Sequence, residues 1–572
     1  MKQTKAEKRT ALSPKELFQT ISLSKDMSDS LERITTALMN IPSVTDTIGE
    51  KELADYLFAF LREFPYFQRY PAQLWEQPLP NDQLQRKNVF ALVKGENISS
   101  NKTVVYHSHM DTVGIKDFGF LKKFAFNSKK LSQHFASSSQ NAVLKEEAES
   151  GDWLFGRGSV DMKSGIAVHL MNLFSFSEQI EELNGNVLLL LNPAEENDHS
   201  GIMEAVREFQ RLEEEESLEL SLAINNDYTT ALYDNDPNRY IYTGSAGKIL
   251  PCFSIFGREA HVGETLSGID PTFISSELNR RINYNMNLTE RMEGELVLPP
   301  TCLYQRDNKE SYNVQTALSS RLYFNYFIYK ESPKNILDTL LKETKAACEE
   351  VKNHMKDQHL NFLAYTHMPA SEHLDWEIEV MTLKEYCVHL EKKGIHSSLL
   401  WDEVLNNSDT TDKRELCFEL VERLHEEDPD KKPMVILFLA PPFIPYNHLD
   451  EGIKIEKEIL DLLQETMEEA EREFGETFVM KRFFPFLSDS SFLSLKETGE
   501  EANYLRENFP EMEKIYPIPM QTIQKLNLPA VNLGVYGKDA HKRSERLFKP
   551  YSFNTLPDLI QKVTLKMLNR EQ

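Results

Sequence analysis

The stretch TVVYHSHMDTV, residues 103–113, decides how this chain folds. Thr103–Tyr106 is apolar and largely β-branched, the composition of a strand buried inside a sheet. It runs directly into His107, His109 and Asp111, so polar chemistry begins where the apolar run stops. Residues i and i+2 of a strand share a face, which sets His109 beside Asp111 at the strand's C-terminal end. Open α/β sheets place their sites at that edge. A carboxylate next to an imidazole can take its second N–H and fix its tautomer, the usual support of a metal-bound histidine. Taken alone, the pair equally suits a histidine in a surface loop.

Working outward, Asn88–Val93, Asn186–Leu191, Leu218–Ile224 and Ala530–Val535 are further short apolar runs bounded by turn residues, predicted to be strands. Helical spacing marks Ser30–Phe67, broken at Ile41-Pro42-Ser43, and also Asp161–Phe176 and Leu556–Leu568. Strands alternating with helices predict an α/β sheet covered on both faces. The polar segment Asp117–Gly151 reads as a long surface excursion. After Tyr242 the pattern changes to strands (Ile249–Ile255, Arg321–Ile328, Met434–Leu439) mixed with long charged helices (Pro333–His354, Asp375–Lys393, Gly452–Phe474). The tail returns to the first pattern. The economical division is one α/β domain, residues 1–244 and 482–572, interrupted by an inserted domain, 245–481.

Composition excludes several classes. The chain has 572 residues and a formal charge of −26, a field that opposes nucleic acid and anionic membrane surfaces. Its five cysteines are odd in number and lack CxxC spacing, which argues against a disulfide framework or a cysteine-built zinc site. Residues 1–30 are polar, and no apolar stretch approaches the ~20 residues of a membrane helix. The expectation is a soluble cytoplasmic protein. P-loop, GxGxxG, GxSxG and HExxH patterns are all missing from the sequence.

Four more constellations sit at the ends of the predicted strands or in loops. Gly156-Arg157-Gly158-Ser159-Val160-Asp161 is a glycine-rich turn delivering Asp161 to a helix start, where its ordinary reading is a cap. Glu195-Glu196 follows the all-apolar strand Asn186–Leu191; a glutamate pair is usually solvated, but in that position it can divide the roles of ligand and base. Asp227 follows Leu218–Ile224. His541, with Glu545 nearby, follows Ala530–Val535. Together they supply the His, Asp and Glu donors that suit two closely spaced divalent cations.

The motifs HxDxV (His109 to Val113), GRGxxDMKxG (Gly156 to Gly165), Glu195-Glu196 and the late His541 resemble those of the co-catalytic zinc metallopeptidases of the aminoacylase, glutamate-carboxypeptidase and succinyl-diaminopimelate desuccinylase type. The resemblance implies a zinc-exopeptidase-like mixed sheet flanked by helices, carrying an enlarged α+β lid and dimerisation domain. It implies two divalent metal ions per chain: zinc, with cobalt or manganese accepted by the same ligands. His109 and Asp227 would bind one ion, Glu196 and His541 the other, and Asp161 would bridge them. Asp111 would orient His109, and Glu195 would be the general base toward a metal-bridged water. From the lid, His261 would stabilise the oxyanion and Asn313 would bind substrate.

The implied activity is hydrolysis of an amide bond in a small amino-acid derivative, with a homodimer through the lid. The long chain and enlarged lid resemble a branch of the family concerned with arginine utilisation, which implies a place in arginine catabolism. A dipeptidase or carboxypeptidase, and a catalytically weak binding module, stand as alternatives. The sequence departs from the family twice. About a hundred residues, near 351–447, have no counterpart, and Tyr326 occupies a position where relatives carry a carboxylate-reading arginine.

Overall fold

The structure is a computed structural model describing residues 12–24, 26–96, 100–292, 294–369, 376–486, 488–496 and 499–570. The chain divides into two compact units: Met1–Ser245 with Asn447–Leu495 and Pro519–Gln572, and Ala246–Tyr446 with Lys496–Ile518.

The first unit is built on an eight-stranded mixed sheet. Its order is Leu74–Pro78, Lys87–Lys94, Asn186–Asn192, Lys102–His109, Glu219–Asn225, Ala530–Asn532, Asn238–Tyr242 and Thr477–Lys481. Lys102–His109 lies at the centre and runs parallel to both neighbours. Its eight residues are all buried, because alternate side chains enter different cores. Val104 and Tyr106 face helices Lys163–Ser177 and Leu556–Leu568 within the main core. On the neighbouring strand Lys87–Lys94, Phe90 packs edge-on against Phe209 of helix Ser200–Glu216. Strands hidden on both faces account for the unbroken apolar runs of the sequence.

The second unit carries a five-stranded sheet, ordered Thr301–Asp307, Ser319–Ile328, Gly247–Phe256, Met434–Ile444 and Glu379–Thr382. Only its last pair is parallel. Helices Pro271–Ile282 and Pro333–Thr366 are joined by Arg281, which pairs with Glu343 and Glu350.

Three expectations are corrected. The excursion 117–151 contains helices Ser128–Ser138 and Ala142–Ser150, and its Phe118, Leu121, Leu131 and Phe135 form a small core with Phe155 of the following strand Trp153–Phe155. Within Asp375–Lys393, whose first residue lies outside the described residues, strand Glu379–Thr382 precedes helix Leu383–Glu391. The chain also rejoins the first unit at Asn447 rather than at 482. The reason is twofold: Thr477–Lys481 extends the main sheet beside Asn238–Tyr242, and helix Lys454–Phe474 sinks Ile459, Leu463, Met467 and Ala470 into the main core. Of the segment near 351–447, Met434–Ile444 and Glu379–Thr382 lie inside the second sheet.

Candidate metal centre

Register brings the ends of three parallel strands to one edge: His109 aligns with Asn192, and His107 with Asn225. Asp111, the Glu195-Glu196 pair and Asp227 therefore leave the sheet together. Asp161 arrives from the turn before helix Lys163–Ser177. That turn needs Gly158 (φ +78), where a Cβ would press on Thr112 and Lys163. The helix cap is Met162, without a side-chain cap bond, so Asp161 is free of the capping role that its position suggested. Gly165 lets the helix approach the neighbouring strand end, since a Cβ there would lie 2.7 Å from Asn226 Oδ1. His541 sits in the loop between the short strands Gly537–Lys538 and Arg546–Phe548.

The predicted ligands converge. His109 Nε2 lies 3.1 Å from Asp161 Oδ1, and His541 Nε2 lies 2.8 Å from Asp161 Oδ2 and 3.1 Å from Glu196 Oε1. Two triads result, His109–Asp161–Asp227 and Asp161–Glu196–His541, each with donor atoms within 4.8 Å of one another and with Asp161 common to both. Asp111 lies behind them. Its main-chain oxygen is 3.1 Å from His109 Nδ1, and its carboxylate accepts the Glu195 and Glu196 amides, both at 3.0 Å. This leaves His109 Nε2 as the ring atom turned toward Asp161.

The electrostatics fit a cation centre. Burial pushes the Glu195 carboxyl well above its usual range; His109 opposes the shift, and Glu196, Asp489 and Asp227 add to it. Asp227 is pushed up to about 8 by burial and then by Asp161. Burial also acts on Asp161, but hydrogen bonds to His109 and His541 outweigh it and hold the carboxyl down. Burial would depress His541, yet Asp161 and Glu196 raise it to about 11. Four carboxylates and two imidazoles share a space in which the carboxylates repel one another. Divalent cations are the partners such a donor set fits.

Glu50 and His199 join the site without having been assigned a place in it. Glu50, fully buried in helix Ile48–Leu61, accepts the Ala194 amide at 3.0 Å and braces the loop of the glutamate pair. His199 lies with its Nδ1 2.7 Å from Asp489 Oδ1. Asp489, which opens the short turn Asp489–Leu493, also accepts Asn192 Nδ2 at 2.5 Å. The only local signal for His199 is its place four residues beyond Glu195. A cavity of about 820 Å³ adjoins the centre, lined among others by Tyr228, Tyr233, Phe486, Tyr536, Lys538 and Ala540. Tyr228 follows Asp227 in the chain, and Ala540 precedes His541.

In the second unit, His261 and Asn313 are exposed on neighbouring segments. His261 bridges Gln315 across an isolated antiparallel contact, its Nδ1 accepts the Gly263 amide, and Asn313 Oδ1 accepts the Gln315 amide. Tyr326 is a core residue whose hydroxyl donates to the Leu288 carbonyl at 2.8 Å. Arg321 is paired with Glu415 and Glu422.

Residues 105–238 match the model of peptidase family M20/M25/M40. Over 541 residues the chain is 48% identical to Protein RocB of Bacillus subtilis, covering 95% of each chain. It is 32% identical to the B. subtilis protein YqjN, covering 95% of this chain and 97% of that one. Among solved structures, an M20 family metallo-carboxypeptidase from Sulfolobus solfataricus shares the fold at a TM-score of 0.52 and 11% identity, covering 94% of this chain and 99% of that one. Among the described residues, no helix is long and apolar enough to cross a membrane.

Proposed function

The chain belongs to the M20/M25/M40 peptidase family of metal-dependent hydrolases, and from that premise we propose that it is a dinuclear amidohydrolase cleaving an amide bond of a small amino-acid derivative. The observation that carries this reading is the pair of triads sharing Asp161, with the buried Glu195 carboxylate beside them. His109 and Asp227 would hold one cation, Glu196 and His541 the other, and Asp161 both. Bound cations of this kind supply Lewis acidity toward a carbonyl and acidify water at neutral pH.

The chain's own residues do the rest. Asp111 fixes the His109 ring and, by accepting two consecutive amides, fixes the main chain of the glutamate pair. The raised affinity of Glu195 for a proton suits a general base that takes one from the attacking water and returns it to the leaving amine. The adjoining cavity would seat the substrate. No guanidinium is offered to a substrate carboxylate here, because Tyr326 carries only a phenol packed in the core and the guanidinium of Arg321 is ion-paired. Recognition would therefore rest on other groups, with His261 and Asn313 as the lid's contribution. Acylated and peptide-linked amino acids, arginine derivatives first, are the substrates to screen; a dipeptide or a C-terminal peptide bond uses the same chemistry.

The test is Glu195→Ala beside His261→Ala. The first should keep its metal content and lose about 10²–10⁴-fold in turnover. The second should keep its metal and lose kcat. Undiminished hydrolysis by Glu195→Ala would refute the assignment of the base.

A further inference from the structure

Glu195 sits in a loop pinned along its main chain. Ala194, Glu195 and Glu196 donate their amides to Glu50 and Asp111, and His199 closes the loop by donating its own amide to the Ala194 carbonyl at 2.8 Å. Ala194 (φ 68) and His199 (φ 56) are both left-handed. Non-glycine residues keep that conformation only where the surroundings over-determine it. Yet the Glu195 carboxylate accepts no hydrogen bond from a described residue. A general base must hold its oxygen within hydrogen-bond reach of the proton it takes, so a fixed main chain with a free side chain is half a design.

The other half ends on His199. Donor atoms of Glu195, His199 and Asp489 all lie within 4.8 Å of one another, and the three side chains are buried. His199 Nδ1 faces Asp489, and its ring lies 5.3 Å from that of Phe492. An ionised carboxylate only accepts, so Nδ1 donates there. Asp489 is held in turn by Asn192 at 2.5 Å, and Asn192 Oδ1 lies 2.8 Å from His107 Nε2. The result is a buried line, His107–Asn192–Asp489–His199. Its terminal atom, His199 Nε2, has no partner among the described residues.

We propose that His199, held by Asp489, is a positioning residue that restrains the Glu195 carboxylate and aims it at the reacting water. This rests on Glu195 being the base. The line starts on the strand that bears His109 and passes through Asn192 at the end of the strand that delivers Glu195, so the sheet itself sets the aim of the base. His107, which lies beside a ligand without being one, thereby gains a role.

The experiment uses the full chain in two readouts. The first is NMR of protein labelled with ¹⁵N-histidine, metal-free and zinc-loaded, with the His199 signal identified by its loss in His199→Gln. Glu195→Gln should shift that signal in both forms. The second is steady-state kinetics with the best amide substrate, alongside metal content. His199→Ala should lower kcat about 10- to 100-fold with KM within about twofold and metal unchanged, and His199→Gln, which keeps a polar atom near the Nε2 position, should recover part of the loss. An unmoved His199 signal, an unchanged kcat in His199→Ala, or the loss of one bound ion in that variant would each overturn the proposal, the last by making the cluster a third cation site. If Glu195→Ala still turned over while the NMR coupling held, the assignment of the base would fall and the positioning contact would stand.

Discussion

The two halves of the metal-ligand set use the same chemistry on different supports. His109, Asp161 and Asp227 are all at most 5% exposed, each at a strand end or at the start of a helix packed on the sheet. On the other side, Asp161 is joined by half-buried Glu196 and by His541, whose side chain is 46% exposed. Ligand type alone would make the two positions equal. What differs is backing: Asp111 orients His109 from behind, whereas His541 stands on a loop with a left-handed backbone (φ 64) and, among the described residues, its ring bonds only the carboxylates of Asp161 and Glu196. Orientation by neighbouring groups governs how tightly a ligand set holds an ion. The inner position is therefore expected to be tight and the rim position exchangeable.

The largest test asks whether the halves form one site at all. Asp161 lies within hydrogen-bond distance of both imidazoles. Asp161→Asn keeps its shape and removes its charge, so both ions should be lost and turnover should fall to background, read by elemental analysis and a rate assay. If this variant held either ion tightly, the triads would be independent and the shared carboxylate only a neighbour.

The next test separates the halves. Chelator titration of the loaded protein should show two steps, the weaker one belonging to the rim. His541→Ala should remove the weaker step and keep one ion. His109→Ala should cost the tight step and stability as well, because it leaves buried Asp111 without its imidazole and buried Asp161 with only one of its two. Equal residual affinity in the two variants would break the comparison.

The same contrast explains what could be read from the sequence. His109, Glu196 and Asp227 stand out because an apolar run ends and a polar residue begins, a strictly local signal that the parallel register then turns into a shared edge. Glu50 sends no such signal. It occupies the first turn of a helix, where acidic residues are commonplace, and its bonds to the Asp46 amide, to Arg86 and to the returning chain at Ala194 appear only in the fold. His199 and Asp489 meet across 290 residues of sequence, about half of the chain. The polar segment 117–151 concealed a core because a few well-spaced aromatic and leucine side chains suffice for a small one. The domain boundary near 447 was illegible for a related reason: the partner of strand Thr477–Lys481 is Asn238–Tyr242, and nothing in either segment names the other.

The smallest test sharpens the comparison at its weaker side. Glu545 is fully buried and ties the His541 loop to the turn that carries Asp161. Its carbonyl accepts the Gly156 amide at 2.9 Å, and its carboxylate pairs with Arg157, which also bonds Asp117 at 3.1 Å. Glu545→Gln keeps the shape and an acceptor, and Asp117 keeps Arg157 from being orphaned. The cost should thus fall well below the about 3–5 kcal/mol of a buried pair broken outright. It should also depend on pH. Burial, opposed by Arg157 and helped by Asp161, pushes this carboxyl up from 4.5 to about 7. The folded state then holds the proton more tightly than the unfolded chain, so this contribution to stability is complete below 4.5 and is lost as pH rises through 7. The glutamine does not titrate, so the wild-type advantage in thermal melts should shrink across that interval. Affinity at the rim position should drop about tenfold while the inner position holds. If both positions weakened together, the His541 loop would owe nothing special to Glu545, and exposure alone would separate the two halves.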